Sequence, residues 1–245
     1  MPIIKVEDLT KVYGSSHTAV TALDHVSLTV EKGEFIAVMG PSGCGKTTLL
    51  NLIGGLDRPT SGRVMLDGSD ISALNDTVLT ETRRRKIGFV FQFYNLIPVL
   101  NAVENAALPL ILDGANGGEA GKRAADWLNR VGLKERLTSR PDQLSGGQQQ
   151  RVAVARALVA EPAIILADEP TGNLDTKASN EIADLLAQVA REWGRAVVMV
   201  THDPKIASHA QRILFLKDGA IAGDTKLTGG GSDEVHQAME KVGLL

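Results

Sequence analysis

The segment Gly40-Pro41-Ser42-Gly43-Cys44-Gly45-Lys46-Thr47 fits the pattern G-x-x-x-x-G-K-[ST]. It is preceded by the apolar run Phe35-Ile36-Ala37-Val38-Met39 and followed by Leu49, Leu50, Leu52 and Ile53 at helical spacing. A strand, a tight turn and a helix are therefore expected here. A polyphosphate needs many donors close together, and side chains are too bulky to crowd around it. Glycines at 40, 43 and 45 let the backbone curl so that successive N–H groups point inward. The helix beginning near Lys46 adds its partial positive end. Lys46 is expected to neutralise β- and γ-phosphates, Thr47 to ligate Mg²⁺ through its hydroxyl, and Thr48 to donate to a further phosphate oxygen. Cys44, inside the loop, reads as a small space-filling residue, with an oxidisable thiol as the alternative.

Three further runs, Ile87-Gly88-Phe89-Val90-Phe91, Ile164-Ile165-Leu166-Ala167 and Val197-Val198-Met199-Val200, have the unbroken apolar character of parallel strands covered on both faces. Val26, Leu28 and Val30 alternate with polar residues, as do Val64 and Leu66, the pattern of a half-exposed antiparallel sheet. Lys217-Asp218-Gly219 marks a hairpin. Ile182, Leu185, Leu186, Val189 and Trp193 make one face of a helix capped by Asp175 or Thr176 and ended by Gly194. Ala124, Trp127, Leu128 and Val131 make another, closed by Gly132, and Gly146 to Ala160 a third, ending before Pro162. Strands alternating with helices imply a parallel α/β core, with a helical insertion where no strand is legible. The expected organisation is a single domain over 1–245: a core with its β subdomain from 1–92 and 153–227, a helical subdomain at 93–152 and a tail at 228–245. Thr228-Gly229-Gly230-Gly231-Ser232 reads as a flexible linker before a short terminal helix.

Asp168 and Glu169 stand together at the tip of an apolar strand, where packing has no use for two acids. Asp168 is a candidate Mg²⁺ ligand acting through water, and Glu169 a candidate base for an attacking water; a solvated strand end is the alternative. The formal net charge of −3 argues against a general nucleic-acid binder. One cysteine excludes an internal disulfide and favours a reducing compartment. Met1-Pro2-Ile3-Ile4-Lys5 lacks the pattern of a secretory signal, and no uncharged apolar run approaches the ~18 residues of a membrane span. A soluble chain is expected, with any membrane role supplied by a partner.

Leu144-Ser145-Gly146-Gly147-Gln148 resembles the signature of ATP-binding cassette (ABC) ATPases, and with the phosphate loop and the acid pair it makes the chain similar to that family over nearly its whole length. The resemblance implies a P-loop, RecA-like α/β core with an antiparallel β subdomain and an inserted helical subdomain. It implies ATP and Mg²⁺, and a homodimer in which Ser145, Gly146, Gly147 and Gln148 grip the γ-phosphate held by the opposite subunit. Gln92 matches the glutamine that touches Mg²⁺ and senses the transporter. Asn173-Leu174-Asp175 matches the loop that crosses between subunits, His202 the histidine that contacts the γ-phosphate, and Tyr13 the aromatic that stacks on adenine. A packing role is the alternative for Tyr13, and the other histidines, His17, His25, His209 and His236, read as surface or core residues.

Phe91-Gln92-Phe93-Tyr94-Asn95-Leu96-Ile97-Pro98 and Pro170-Thr171-Gly172-Asn173-Leu174-Asp175 resemble the MacB/LolD-type branch, with FtsE-type cell-division ATPases as close relatives. That branch implies ATP-driven export or mechanical transmission by a peripheral subunit on the cytoplasmic face of the inner membrane. Phe93 to Leu112 would receive the permease's coupling helix, with Phe93, Tyr94, Leu96 and Ile97 shared between core and groove. A soluble ABC ATPase acting on DNA or ribosomes would need a long coiled coil or a second cassette, neither of which the sequence carries. A subunit that binds ATP without turnover is opposed by Glu169 and His202.

Overall fold

The computed structural model describes residues 2–15 and 18–244, so His17 lies outside the described residues. In chain order the first elements are β1 (Ile4–Tyr13), β2 (Val20–Val30), β3 (Phe35–Met39), α1 (Lys46–Ile53), β4 (Ser61–Leu66), β5 (Ser69–Asp70), α2 (Asp76–Lys86) and β6 (Ile87–Phe91). Three helices follow, α3 (Ala102–Leu112), α4 (Gly117–Arg130) and α5 (Gly146–Leu158). The chain then runs through β7 (Ile164–Asp168), α6 (Thr176–Arg191), β8 (Ala196–Val200), α7 (Pro204–Ala207), β9 (Arg212–Lys217), β10 (Ala220–Lys226) and α8 (Gly231–Lys241).

The strands form two sheets, β2-β1-β4-β5 and β10-β9-β3-β8-β7-β6. The first is antiparallel; the second is parallel except for β10. The side-chain period of two sorts the larger sheet cleanly. Phe35, Ala37, Met39, Ile165, Ala167, Val197, Met199, Ile213 and Phe215 face a core shared with α3 to α8. Ile36, Val38, Ile164, Leu166, Val198, Val200, Leu214 and Leu216 face a second core shared with α1 and the antiparallel sheet. Both faces are dry, which is why these strands read as continuous apolar runs.

Register puts the strand tips together. Phe91 pairs with Asp168, Asp168 with Val200, and Val38 with Val200. The residues that follow these tips therefore gather on one edge, the carboxyl edge where α/β sheets bind ligands.

Two local features differ from the sequence reading. α6 ends at Arg191, so Trp193 lies beyond the helix; Gly194 takes φ +63° and the Trp193 ring meets Trp127 edge-on at 5.1 Å, joining α6 to α4. α5 runs unbroken from Gly146 to Leu158, in line with the Gly146 to Ala160 stripe, and so crosses residues 152 and 153. The glycine run after Thr228 is an organised turn, not a free linker: the Glu234 carboxylate accepts the Thr228 N–H at 2.9 Å and the Gly230 N–H at 2.9 Å. Val235 and Ala238 then bury α8 against the helix-covered core.

Candidate nucleotide site and its relatives

The phosphate loop leaves β3 and enters α1. Gly40 permits a close crossing, since a Cβ there would stand 2.0 Å from the Leu216 carbonyl. Gly45 is required twice over: its φ is +104°, and a Cβ would stand 2.3 Å from the Ala22 carbonyl. Gly45 is also the N-cap of α1 and offers no side-chain acceptor. Helices α2 to α7 each begin with an Asn, Ser or Asp side chain that accepts an amide of the first turn. The first amides of α1 are thus left for an anion from outside. Lys46 is buried and its ammonium donates to the carbonyls of Gly40 (2.8 Å) and Pro41 (2.7 Å), folded onto the loop that it serves. Cys44 is buried too, its Sγ 3.8 Å from the Lys46 Nζ. Ser42, Gly43, Lys46, Thr47, Thr48 and Glu169 line a cavity of about 230 Å³.

Thr47 and Asp168 come from different elements and meet: the Thr47 hydroxyl donates to Asp168 Oδ1 at 3.3 Å. Burial raises the Asp168 carboxyl above its usual range; the Thr47 hydroxyl opposes this, Glu169 adds to it and Lys46 opposes it. Hydroxyl and carboxylate oxygens are the donors a hard cation prefers, with water and phosphate filling the remaining positions. Among the described residues no cluster of three or more His, Cys, Asp and Glu could hold a metal by itself.

Glu169 takes φ +44°, a strained conformation for a residue with a side chain, and its N–H is held by the Val200 carbonyl at 3.0 Å. Its Oε2 lies 3.0 Å from His202 Nδ1, with His202 otherwise exposed. A hydrogen bond across this contact to a carboxylate acceptor needs the ring proton on Nδ1, which leaves Nε2 outside the pair. Gln92 packs against Gly172, donates to the Asn173 side chain at 3.4 Å and accepts from it through its carbonyl at 3.1 Å. Tyr13 donates its hydroxyl to Asp57 at 2.7 Å, and the Lys11 ammonium lies 4.7 Å from its ring centroid.

The signature segment is placed differently. Ser145 caps α5, accepting the Gln148 N–H at 3.3 Å, while the Gln148 side chain accepts the Ser145 N–H at 3.0 Å. Gly146 and Gly147 lie against Tyr94, Leu174 and Ala178. Asp175 caps α6 through the Ala178 N–H at 2.9 Å. Neither Ser145 to Gln148 nor Asp175 lines the phosphate-loop cavity or the adjoining one at Glu169 and His202.

Sequence reasoning missed several supporting residues. Asp57 and Lys11, which fix Tyr13, carry no local signal. Asn105 did: it is a polar residue among apolar ones in α3, fully buried, accepting the Ile97 N–H at 2.7 Å and donating to the carbonyls of Ile97, Leu100 and Asn101. Arg156 donates to the carbonyls of Tyr94 (2.7 Å) and Asn95 (2.6 Å), which both have positive φ. Beside this turn a groove of about 460 Å³ is lined by Leu56, Phe89, Phe91, Leu108 and Leu112, among others. Leu112 on this groove is 69% exposed; Phe93 and Val99, outside its lining, are each 71% exposed, whereas Leu96 packs into the core and Tyr94 against Gly146. No helix of the described residues is long and apolar enough to cross a membrane.

Residues 23–172 match the family described as ABC transporter. The chain is 51% identical over 231 residues to the ABC transporter ATP-binding protein MJ0796 of Methanocaldococcus jannaschii, covering 93% of this chain and 98% of that one. It is 50% identical to the lipoprotein-releasing system ATP-binding protein LolD of Geobacter metallireducens, covering 91% and 99%. It is 47% identical to the macrolide export ATP-binding/permease protein MacB of Hyphomonas neptunium, covering 96% of this chain but only 36% of that protein. A solved dimer of the MJ0796 cassette bound to ADP and Pi superposes with a TM-score of 0.83 at 48% identity, over 92% of this chain and 99% of that one. This chain belongs to the ABC transporter family, as an ATP-hydrolysing nucleotide-binding component of the MacB/LolD type.

Proposed function

We propose that two copies of this chain close head to tail on two ATP molecules, each held between one copy's phosphate loop and the other's Ser145 helix end, and that closure drives a membrane partner. The observation that carries this is the division of the site: Lys46, Thr47, Asp168, Glu169 and His202 converge on one sheet edge, while the Ser145 to Gln148 helix end lines neither cavity there. That a relative was solved as a dimer bound to ADP and Pi supports a nucleotide-bound dimer.

In this reading Lys46 leaves the Gly40 and Pro41 carbonyls for β- and γ-phosphate oxygens, and the α1 amides cradle the same groups. Thr47, Asp168 and Gln92 would hold Mg²⁺, which when bound offsets phosphate charge. Glu169 accepts a proton from water as the water oxygen bonds to the γ-phosphorus and the bond to the β,γ-bridging oxygen breaks. His202, oriented by Glu169, meets the charge that develops on the γ-phosphoryl oxygens. Tyr13 stacks on adenine. The exposed apolar rim near Gln92 to Leu112 is where a permease helix docks, so the chain sits on the cytoplasmic face and touches the membrane only through that partner. Export or mechanical transmission is the output, and the partner chooses the cargo.

Glu169→Gln protein with ATP and Mg²⁺ should run as a dimer in size-exclusion chromatography with light scattering. Adding Ser145→Arg should return it to monomer while changing monomer ATP affinity less than about threefold. Hydrolysis at the normal rate by Glu169→Gln, or equal loss of affinity and dimer on adding Ser145→Arg, would contradict the reading.

A further inference from the structure

Gln150 has no part in the chemistry above, yet it is fully buried at the junction of the three segments that carry it. It lies on α5, the helix that Ser145 caps. Its Nε2 donates to the Pro170 carbonyl at 2.6 Å and to the Phe91 carbonyl at 3.2 Å. Pro170 directly follows Glu169, and Phe91 directly precedes Gln92. Phe91 ends β6 and pairs with Asp168 at the tip of the neighbouring parallel strand β7, and Pro170 lies two residues beyond that tip.

The amide has one workable orientation. Rotating it by half a turn would set Oε1 against two carbonyl oxygens, so both N–H donors must face the strand tips. The consequence is that Oε1 has no partner among the described residues. An unpaired acceptor in a dry site is costly, and an apolar side chain of the same length would avoid that cost. Gln150 shares the inward stripe with Ala153, Val154, Ala157 and Leu158, all buried and apolar, so packing alone gives no reason for an amide there. Its N–H pair is what distinguishes it.

We infer that Gln150 is a positioning residue that couples the two ATP sites of the dimer, transmitting the seating of the Ser145 helix on the partner's nucleotide to Glu169 and Gln92 of its own chain. This rests on the shared-site reading above. α5 is one unbroken helix from Gly146 to Leu158, so a shift at its capped end is carried to Gln150, little more than one turn along. The same amide then draws on the two backbone segments that hold the base and the metal-side glutamine. Each site thereby senses whether the other is closed, which is a coupling free energy between distinct sites.

The test uses the full chain, with steady-state hydrolysis measured across ATP concentrations, monomer ATP affinity by equilibrium binding, and thermal melting as a check on folding. Gln150→Leu removes both donors at similar volume, and Gln150→Met does so at similar length. Val154→Ala, one turn further along α5, is the packing control. Wild-type protein should show a Hill coefficient above one. The Gln150 variants should keep monomer ATP affinity within about twofold, lose about tenfold in kcat and fall to a Hill coefficient near one. Val154→Ala should lower the melting temperature and leave the Hill coefficient unchanged. Folded Gln150 variants with wild-type kcat and Hill coefficient would overturn the assignment. Failure of both variants to fold would overturn it equally, by making Gln150 a purely structural residue. Failure of the shared-site reading looks different: Glu169→Gln would stay monomeric with ATP, and the wild-type Hill coefficient would be one.

Discussion

At the residue scale the proposed adenine contact, Tyr13, depends on neighbouring side chains that hold its ring in place. Partial desolvation of the half-exposed Tyr13 and its bond to Asp57 raise the phenol above its usual range, while Thr48 opposes them. Burial alone would raise Asp57, but Lys11, the Tyr13 hydroxyl and the Arg58 N–H outweigh it and hold that carboxyl low. The tether is therefore intact at neutral pH. A stacked base is typically worth about 1–3 kcal/mol, so Tyr13→Ala should raise the KM for ATP about tenfold with kcat within about twofold. Tyr13→Phe keeps the stacking face but loses the tether, and should fall between wild type and alanine. Steady-state ATPase assays decide this: equal KM values in all three proteins would remove Tyr13 from the nucleotide site.

At the element scale two short segments are held by single side chains. Asn105 makes four hydrogen bonds that shape the 97–101 turn leading into α3. Asn105→Ala leaves buried backbone groups unpaired and should cost about 2 kcal/mol in urea unfolding. It should also weaken capture of the permease more than it lowers basal ATPase activity; unchanged capture would detach this turn from docking. Glu234 organises the glycine turn before α8, and backbone N–H groups of Thr228 and Gly230 hold its carboxyl below the usual range. A lowered folded pKa means the tie is present above the ordinary carboxylate value and is lost as pH falls through the lowered one. Glu234→Gln should therefore speed amide exchange at Thr228 and Gly230 at neutral pH, and unchanged exchange would contradict the tie. This turn was illegible in sequence because a glycine run gives the same local signal whether or not a distant carboxylate binds it. The parallel strands were legible because burial on both faces leaves an unbroken apolar run, as in Ile164 to Ala167. Trp193 misled because its spacing matches a helix face, while its true contact is Trp127 on another element.

At the scale of the whole molecule, motif order led to the expectation that the phosphate loop, the acid pair and His202 share one site, and the structure gathers them at the tips of β3, β7 and β8 on one sheet edge. Asp57, Gln150 and Arg156 were not legible, since each acts on segments twenty or more residues away, whereas Asn105 showed only as a polar residue within an apolar helix. The central claim is that one copy's phosphate loop faces the other copy's signature helix. Ser42 is exposed on the loop and Gln148 lies in the first turn of α5. In Cys44→Ser protein carrying Glu169→Gln, thiols introduced by Ser42→Cys and Gln148→Cys can be joined with a short bismaleimide and read on a denaturing gel. The account predicts a covalent dimer that forms with ATP and Mg²⁺ and is lost when Ser145→Arg is added. A crosslink confined to the monomer, or a covalent dimer indifferent to nucleotide, would contradict it.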